Sequence, residues 1–305
     1  MPRWRVVRGR QLRRRPRHRR AAPRRPRRTA DDPPQASRRD PRQRRQRHRR
    51  GAGAAAGGGV VTTGAIVLAR TGAARLPNKA LIDVEGRPLI WYTLVRLIER
   101  WPHRVIAAIP ADASEDALAD YCAGLGVGVF RGETRDVHRR FLDACRAFGL
   151  DAAVRANGDS PLLDPALLVR GVETLRERSL DFVTNLRPRS YPYGVACEAV
   201  TTALLERTRD AVTDPVEREH MTSWYYAHLD ALRWTNLENP AAGADAARIA
   251  AVDVTVDTPE DLAAFRRFVA TVGAGRAWAD VGYEEALARG GFDAAEAPSE
   301  MPPAC

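Results

Sequence analysis

The chain has 305 residues, 44% of them hydrophobic, with a formal net charge of +11. That length suits one large domain with a substantial core, and no apolar run approaches the roughly 18 residues of a membrane span. The charge suggests nucleic acid until the chain is divided: residues 1–50 hold 22 arginines and three aspartates, whereas the remainder holds 27 basic and 35 acidic residues. The basicity belongs to a tail, and the rest reads as an acidic globular protein without a membrane partner.

Residues 1–62 are rich in Arg, Pro and Gly and poor in large apolar side chains. Such a segment buries too little surface to offset chain entropy, so a disordered tail is expected. The chain uses 48 arginines and one lysine, Lys79. That usage points to GC-rich coding, in which a misplaced start also produces such an extension. Nucleic acid is expected to meet only this tail, nonspecifically and through charge. An export signal is excluded, because its apolar part, Ala65 to Leu68, runs into a functional loop and cleavage would remove a strand. Cys122, Cys145 and Cys197 lie in apolar patterns, and with Cys305 they lack metal-like spacing. They read as reduced residues of a cytoplasmic protein.

Gly51 to Gly59 is a linker to a domain spanning 63–290. Strand Gly64 to Leu68 opens it. A helix follows from Leu89 to Trp101, with Ile90, Leu94, Leu97, Ile98 and Trp101 on one face. Then come strand Val105 to Ile109, a helix capped by Ser114 and running to about Leu125, strand Val127 to Phe130 and helix Val137 to Phe148. Strand Ala152 to Arg155, helix Pro165 to Arg178 and strand Asp181 to Thr184 complete the alternation. This order predicts an α/β, Rossmann-like fold, a mostly parallel sheet covered by helices. Beyond Leu186 the pattern becomes mixed. An antiparallel strand Val195 to Val200, helices Thr201 to Ala211 and Pro215 to His228, strands Leu232 to Leu237 and Val252 to Val256, and helix Pro259 to Val272 are expected. Residues 291–305 have tail composition.

Ligands of parallel sheets bind beyond the carboxyl ends of the strands. The loop after the first strand, Arg70 to Lys79, places Arg70, Arg75 and Lys79 within ten residues. Gly72 gives backbone freedom and Pro77 stiffens the approach to the lysine, a combination able to grip a triphosphate. A second loop, Asn157-Gly158-Asp159, puts a carboxylate at a strand end, where Mg²⁺ takes one or two carboxylates plus phosphate oxygens. Asp257 occupies a like position before Pro259, with helix capping as the competing role. Asp253 is a further candidate, and Asp164 reads as a helix cap.

Together these loops resemble the cytidylyltransferases that activate sugar acids, the acylneuraminate and deoxy-octulosonate (Kdo) enzymes, and nearest among them the spore-coat polysaccharide branch. The matching elements are Ala69 to Lys79, Gly158 to Leu162, Tyr191 to Gly194, Glu217 to Thr222 and Val256 to Leu262. The chain departs from the family pattern at Ala73, where the family has serine, at Asn78, where it has glycine, and at Tyr193 and Cys197. The resemblance implies a GT-A-like nucleotidyltransferase domain that transfers CMP from CTP to a sugar acid, releases pyrophosphate, and works as a homodimer. It implies nucleotide binding by Leu68, Ala69, Arg70, Gly72, Arg75, Lys79, Asn157, Gly158 and Asp159. Backbone near Leu68 to Arg70 would read the base. Catalysis falls to Lys79, Arg70 and Arg75, and Mg²⁺ to Asp159 and Asp257. Tyr191, Arg187, Arg189, Arg218 and His220 are candidates for the sugar. Two alternatives are a metal-dependent GT-A-type glycosyltransferase, for which Asp159 would hold the metal of a nucleotide-sugar, and a polyanion-binding protein acting through its tail.

Overall fold

The computed structural model describes residues 7–8, 61–73, 75–272 and 276–289. Most of the two expected tails, including the linker to Gly59, lies outside these residues. One eight-stranded sheet, in the order β1-β6-β5-β2-β7-β9-β8-β10, organises the described residues. Its strands are β1 (Val7–Arg8), β2 (Thr63–Leu68), β5 (Arg104–Pro110), β6 (Gly128–Gly132), β7 (Ala152–Asn157), β8 (Phe182–Thr184), β9 (Glu198–Thr201) and β10 (Trp234–Asn236). The pairs from β1 through β7 are all parallel, β9 runs antiparallel to both β7 and β8, and β10 returns parallel to β8. Val7–Arg8 pairs with Phe130–Arg131, a contribution that the tail's composition does not suggest.

Alternation along each strand sends successive side chains to opposite faces. In β2, Ala65 and Val67 join one apolar cluster and Ile66 the other, all three fully buried. The Val67 face is covered by α1 (Leu89–Arg100), α2 (Asp116–Gly124), α4 (Pro165–Glu177) and α9 (Pro259–Val272), through Leu94, Leu118, Leu168 and Phe265. The Ile66 face is covered by α3 (Val137–Phe148), α5 (Thr202–Thr208) and α7 (Ser223–Ala227), through Phe141, Leu204 and Tyr225. Burial on both faces is why the central strands read as apolar runs. Cys122, Cys145 and Cys197 are buried free thiols.

The predicted elements appear with ends matched or shifted by one to three residues; two short helices, α8 (Ala246–Ala250) and α10 (Tyr283–Arg289), were not expected, and four further places differ. Ser114 lies in a 3-10 turn, Ala113–Glu115, and α2 begins at Asp116 without a side-chain cap. A hairpin of β3 (Asp83–Val84) and β4 (Arg87–Pro88) was not expected; its turn uses left-handed Glu85 (φ 49) and Gly86 (φ 82). The helix expected from Pro215 to His228 breaks in two, α6 (Pro215–Glu219) and α7. His220 leaves helical backbone, and its carbonyl accepts from Ser223 N at 2.8 Å and Ser223 Oγ at 2.5 Å, bonding that competes with continued helix. The strand expected over Val252 to Val256 reduces to one bridge between Asp253 and Tyr193. There Asp253 Oδ1 accepts from Thr255 N and Oγ1, both at 2.7 Å, which turns the chain away from a ladder.

The joint between the two halves rests on Asp181, which is buried and accepts from Arg207, from the Arg233 guanidinium and from Arg233 N. Burial alone would raise its pKa, but the bonds from Arg233 and Arg207 outweigh burial and hold it well below the usual range. A depressed folded-state pKa contributes stability that is present above the unfolded value of about 4 and lost as pH falls. Asp181→Asn is therefore expected to flatten the decline in urea-unfolding stability between about pH 5 and pH 3. An unaltered acid slope would show that Asp181 does not set it.

Candidate active site

The β2 strand ends at Leu68, and the loop that follows closes on itself at the carboxyl edge of the sheet. Thr71 O accepts from Ala73 N at 2.9 Å and Asn78 N at 2.8 Å. Thr71 N donates to both carboxylate oxygens of buried Glu115, at 3.0 and 2.9 Å, which anchors the loop to the segment after β5. Asn78 adopts left-handed backbone, φ 57, and this explains both the family's glycine and the substitution, since Asn tolerates that region better than most residues. Asn78→Val is expected to cost about 1–2 kcal/mol and Asn78→Gly little; equal melting temperatures for the two variants would contradict this. Gly72 has no such need: its φ is not left-handed, a Cβ there meets nothing, and it does not line the cavity described below.

Two distant carboxylates converge on the lysine that ends this loop. Lys79 Nζ donates to Asp159 Oδ2 at 2.5 Å and to Asp257 Oδ1. Arg75 Nη2 donates to the other oxygen of Asp257 at 3.1 Å. Burial works against the Lys79 charge, but Asp159 and Asp257 together outweigh it and raise the pKa. Gly158 lets the strand ends approach: its N donates to Leu68 O at 3.0 Å, and a Cβ would lie 3.1 Å from the Ala69 Cβ. Val256 N donates to Asp159 O at 3.0 Å and ties the two acidic segments together.

The competing roles of the aspartates resolve at this point. Asp261 Oδ2 accepts from Asp257 N and Thr258 N at 3.0 and 2.9 Å, and Thr258 Oγ1 accepts from Asp261 N at 3.1 Å. Capping of α9 thus belongs to Asp261 and Thr258, which leaves the Asp257 carboxylate for the cavity. Asp164 caps α4, accepting from Ala166 N at 2.9 Å. Asp253 is turned to Thr255 and does not line the cavity.

A cavity of about 360 Å³ opens beside these groups. It is lined by every expected nucleotide residue except Gly72: Leu68, Ala69, Arg70, Arg75, Lys79, Asn157, Gly158 and Asp159, together with Asp257. Across it stand Glu219 and His220, and Glu219 Oε1 accepts from Arg70 Nη2 at 3.0 Å. His220 is the one expected sugar residue on the wall, and burial lowers its pKa. Arg189 is set behind the wall, its guanidinium 4.8 Å from the ring of Tyr193, which does line the cavity. The others stand elsewhere. Tyr191 is buried, its hydroxyl accepting from Arg170 Nη2 at 3.1 Å, Arg187 lies over the Tyr226 ring at 5.0 Å, and Arg218 Nε donates to Val212 O at 3.2 Å.

Two wall residues escape a reading by loops, Arg140 on α3 and Arg155 on β7. Each left a signal. Arg155 interrupts an otherwise apolar strand, and Arg140 shares the buried face of α3 with Val137, Phe141 and Ala144. Arg155 donates to buried Glu198, whose other oxygen accepts from Tyr226 Oη at 2.8 Å.

A cationic loop facing paired carboxylates at the carboxyl edge of a mostly parallel sheet is an arrangement suited to nucleotidyl transfer. The family profile described as cytidylyltransferase matches residues 64–278, and the chain belongs to that family. Among relatives, it is 28% identical to the spore coat polysaccharide biosynthesis protein SpsF of Bacillus subtilis over 202 residues, 64% of this chain and 81% of that one. It is 28% identical to the 3-deoxy-manno-octulosonate cytidylyltransferase of Aeromonas salmonicida over 124 residues, 39% of this chain and 48% of that one. A cytidylyltransferase structure from Leptospira borgpetersenii shares the fold, with a TM-score of 0.69 at 23% identity, covering 80% of this chain and 99% of the other. The enzyme is a cytidylyltransferase that uses CTP for nucleotidyl transfer, which sets aside the glycosyltransferase alternative. Among the described residues no helix is long and apolar enough to cross a membrane.

Proposed function

We propose that the enzyme transfers CMP from CTP to a sugar acid and releases pyrophosphate, supplying an activated sugar for surface polysaccharide or glycoconjugate synthesis. The observation that carries this reading is the convergence of Asp159 and Asp257 on Lys79, in a cavity that also holds Arg70 and Arg75. A sugar hydroxyl attacks the α-phosphorus, the bond to the oxygen bridging to the β-phosphate breaks with its electron pair going to pyrophosphate, and the hydroxyl proton passes to water. Arg70, Arg75 and Lys79 exchange their carboxylate partners for phosphate oxygens and stabilise the charge that grows on the α-phosphate and on pyrophosphate. Asp159 and Asp257 suit Mg²⁺, a cation that needs one or two carboxylates beside substrate phosphates, and they would hold it. Bound Mg²⁺ supplies charge neutralisation and acidifies the attacking hydroxyl.

The acceptor's carboxylate meets the side of the cavity where Arg155 lines the wall beside the imidazole of His220, with Arg189 behind Tyr193. The names of the Bacillus and Aeromonas relatives support a sugar-acid acceptor and a polysaccharide context. A homodimer acting in the cytoplasm completes the proposal; the buried free thiols fit a reducing compartment. Pyrophosphate release, measured with each nucleoside triphosphate, a panel of sugar acids and Mg²⁺, tests it. Turnover is expected with CTP and a sugar acid only; turnover with neutral sugars alone would overturn the acceptor class.

A further inference from the structure

Beyond Leu186 the chain gives the cavity four wall residues besides Asp257: Tyr193, Glu219, His220 and Thr255. Tyr193 carries the largest apolar surface of the four, and it is one of the positions at which the chain departs from the family pattern. Its backbone is locked. Tyr193 N donates to Val252 O at 2.8 Å, and Val254 N donates to Tyr193 O at 2.9 Å. Gly194 permits this approach. Its φ of 95 is left-handed, and a Cβ there would stand 2.9 Å from Thr255 Cγ2 and 3.2 Å from the Val254 carbonyl carbon.

A cation backs the ring. The Arg189 guanidinium lies 4.8 Å from the Tyr193 ring centre, and Arg189 does not line the cavity, so the ring stands between the two. Among the described residues Arg189 forms no ion pair, and its Nε is buried without a partner. The carboxylates near it are committed elsewhere, Glu198 to Arg155 and Tyr226, and Asp253 to Thr255. The aromatic face therefore holds the guanidinium, and the guanidinium fixes the ring. The segment that locks Tyr193 also runs to the chemistry. It continues through Thr255, which lines the wall, and Val256, whose N donates to Asp159 O at 3.0 Å, to Asp257. Asp253, bridged to Tyr193, and Asp257 are four residues apart. Such a span is at most about 14 Å even when fully extended.

We propose that Tyr193 selects the acceptor by stacking on a C–H face of its sugar ring, and that Arg189 is a positioning residue acting through that stack. An acceptor whose hydroxyl attacks beside Asp257 extends its ring along Thr255 toward Tyr193. A pyranose with equatorial hydroxyls presents C–H groups on its faces and hydroxyls at its rim. An aromatic side chain buries such a face and leaves the rim to polar partners. The stack admits a ring with one open C–H face. It rejects an acceptor that carries an ammonium on that face, because Arg189 already holds the other side and two cations would oppose each other across the ring. This inference rests on transfer to a sugar and not on the acceptor's carboxylate.

Pyrophosphate release with CTP, Mg²⁺ and a series of acceptors (3-deoxy-manno-octulosonate, glucuronate and glucose) tests it. Tyr193→Ala is expected to raise the KM of the acceptor about tenfold, the fold-change that matches about 50 Å² of apolar surface left in water. Its kcat and its KM for CTP should stay within about threefold of wild type. Tyr193→Phe keeps the flat ring and should hold the acceptor KM within about threefold. Tyr193→Leu fills the space without a flat face and should behave as Tyr193→Ala does. Arg189→Met should raise the acceptor KM alone, and should raise it no further when added to Tyr193→Ala, because Arg189 acts through the ring. An unchanged acceptor KM in Tyr193→Ala and Tyr193→Leu overturns the proposal. A rise confined to the KM for CTP assigns the ring to the nucleotide and overturns it equally. Additive effects in the double variant would place Arg189 on the acceptor itself and overturn its positioning role. Turnover of glucose with the same dependence on Tyr193 would support the stack and overturn instead the acid class of the acceptor.

Discussion

Lys79→Ala is expected to lower kcat/KM for CTP by about 10²- to 10³-fold, the usual cost of removing one preorganised donor from developing transition-state charge. The geometry makes this lysine more than a charge in a loop. Its ammonium is the point at which segments from β7 and from the start of α9 meet, bonded to Asp159 and Asp257 together. In the proposed reaction the ammonium would turn to the phosphates and leave both carboxylates to the cation that accompanies the nucleotide. Lys79→Arg is not expected to restore activity, because a planar fork cannot sit between two converging carboxylates as a compact ammonium does. Pyrophosphate release by the two variants checks both statements; a Lys79→Ala variant within about threefold of wild type would remove Lys79 from the chemistry.

The legible part of this site is the part written locally. A strand followed by Arg70, Gly72, Arg75 and Lys79, and a second strand followed by Asn157-Gly158-Asp159, announce themselves because both chemistry and backbone demands fall within ten residues. The fold was legible for the same reason, since two-residue and 3.6-residue periods are local signals. Asp257 was ambiguous because a carboxylate before Pro259 suits a cap as well as a cation site, and only the bonds of Asp261 decide between them. The side-chain directions of the expected sugar residues were not legible. Tyr191, Arg187 and Arg218 turn to Arg170, Tyr226 and Val212 and do not line the cavity, and nothing in the sequence encodes those turns. Arg140 and Arg155 sit inside regular elements, where a charged residue reads first as a structural anomaly. Their burial and their exposure to one cavity appear only when α3 and β7 are brought together.

Glu198→Ala is expected to destabilise the protein by about 3–5 kcal/mol, the range for breaking a buried ion pair by removing one partner. Glu198 is 1% exposed, and its two oxygens accept from Arg155 and from Tyr226 Oη. Tyr226 Oη also contacts Thr184 Oγ1 at 2.7 Å, so the chain of bonds crosses β7, β9, β8 and α7. Removing the carboxylate leaves a guanidinium and a phenol without their acceptor in the middle of the sheet. The pair itself is not required for a large net stability, because desolvation offsets most of its attraction. Replacing both members by apolar groups, Arg155→Met with Glu198→Leu, is therefore expected to recover most of what Glu198→Ala loses. Urea unfolding at a constant m value separates the two cases. The double variant should remain folded and yet turn over the sugar acid poorly, because Arg155 lines the cavity. Full activity in that variant would show that the buried pair serves only the sheet, whereas stability without activity would assign Arg155 to the acceptor's carboxylate.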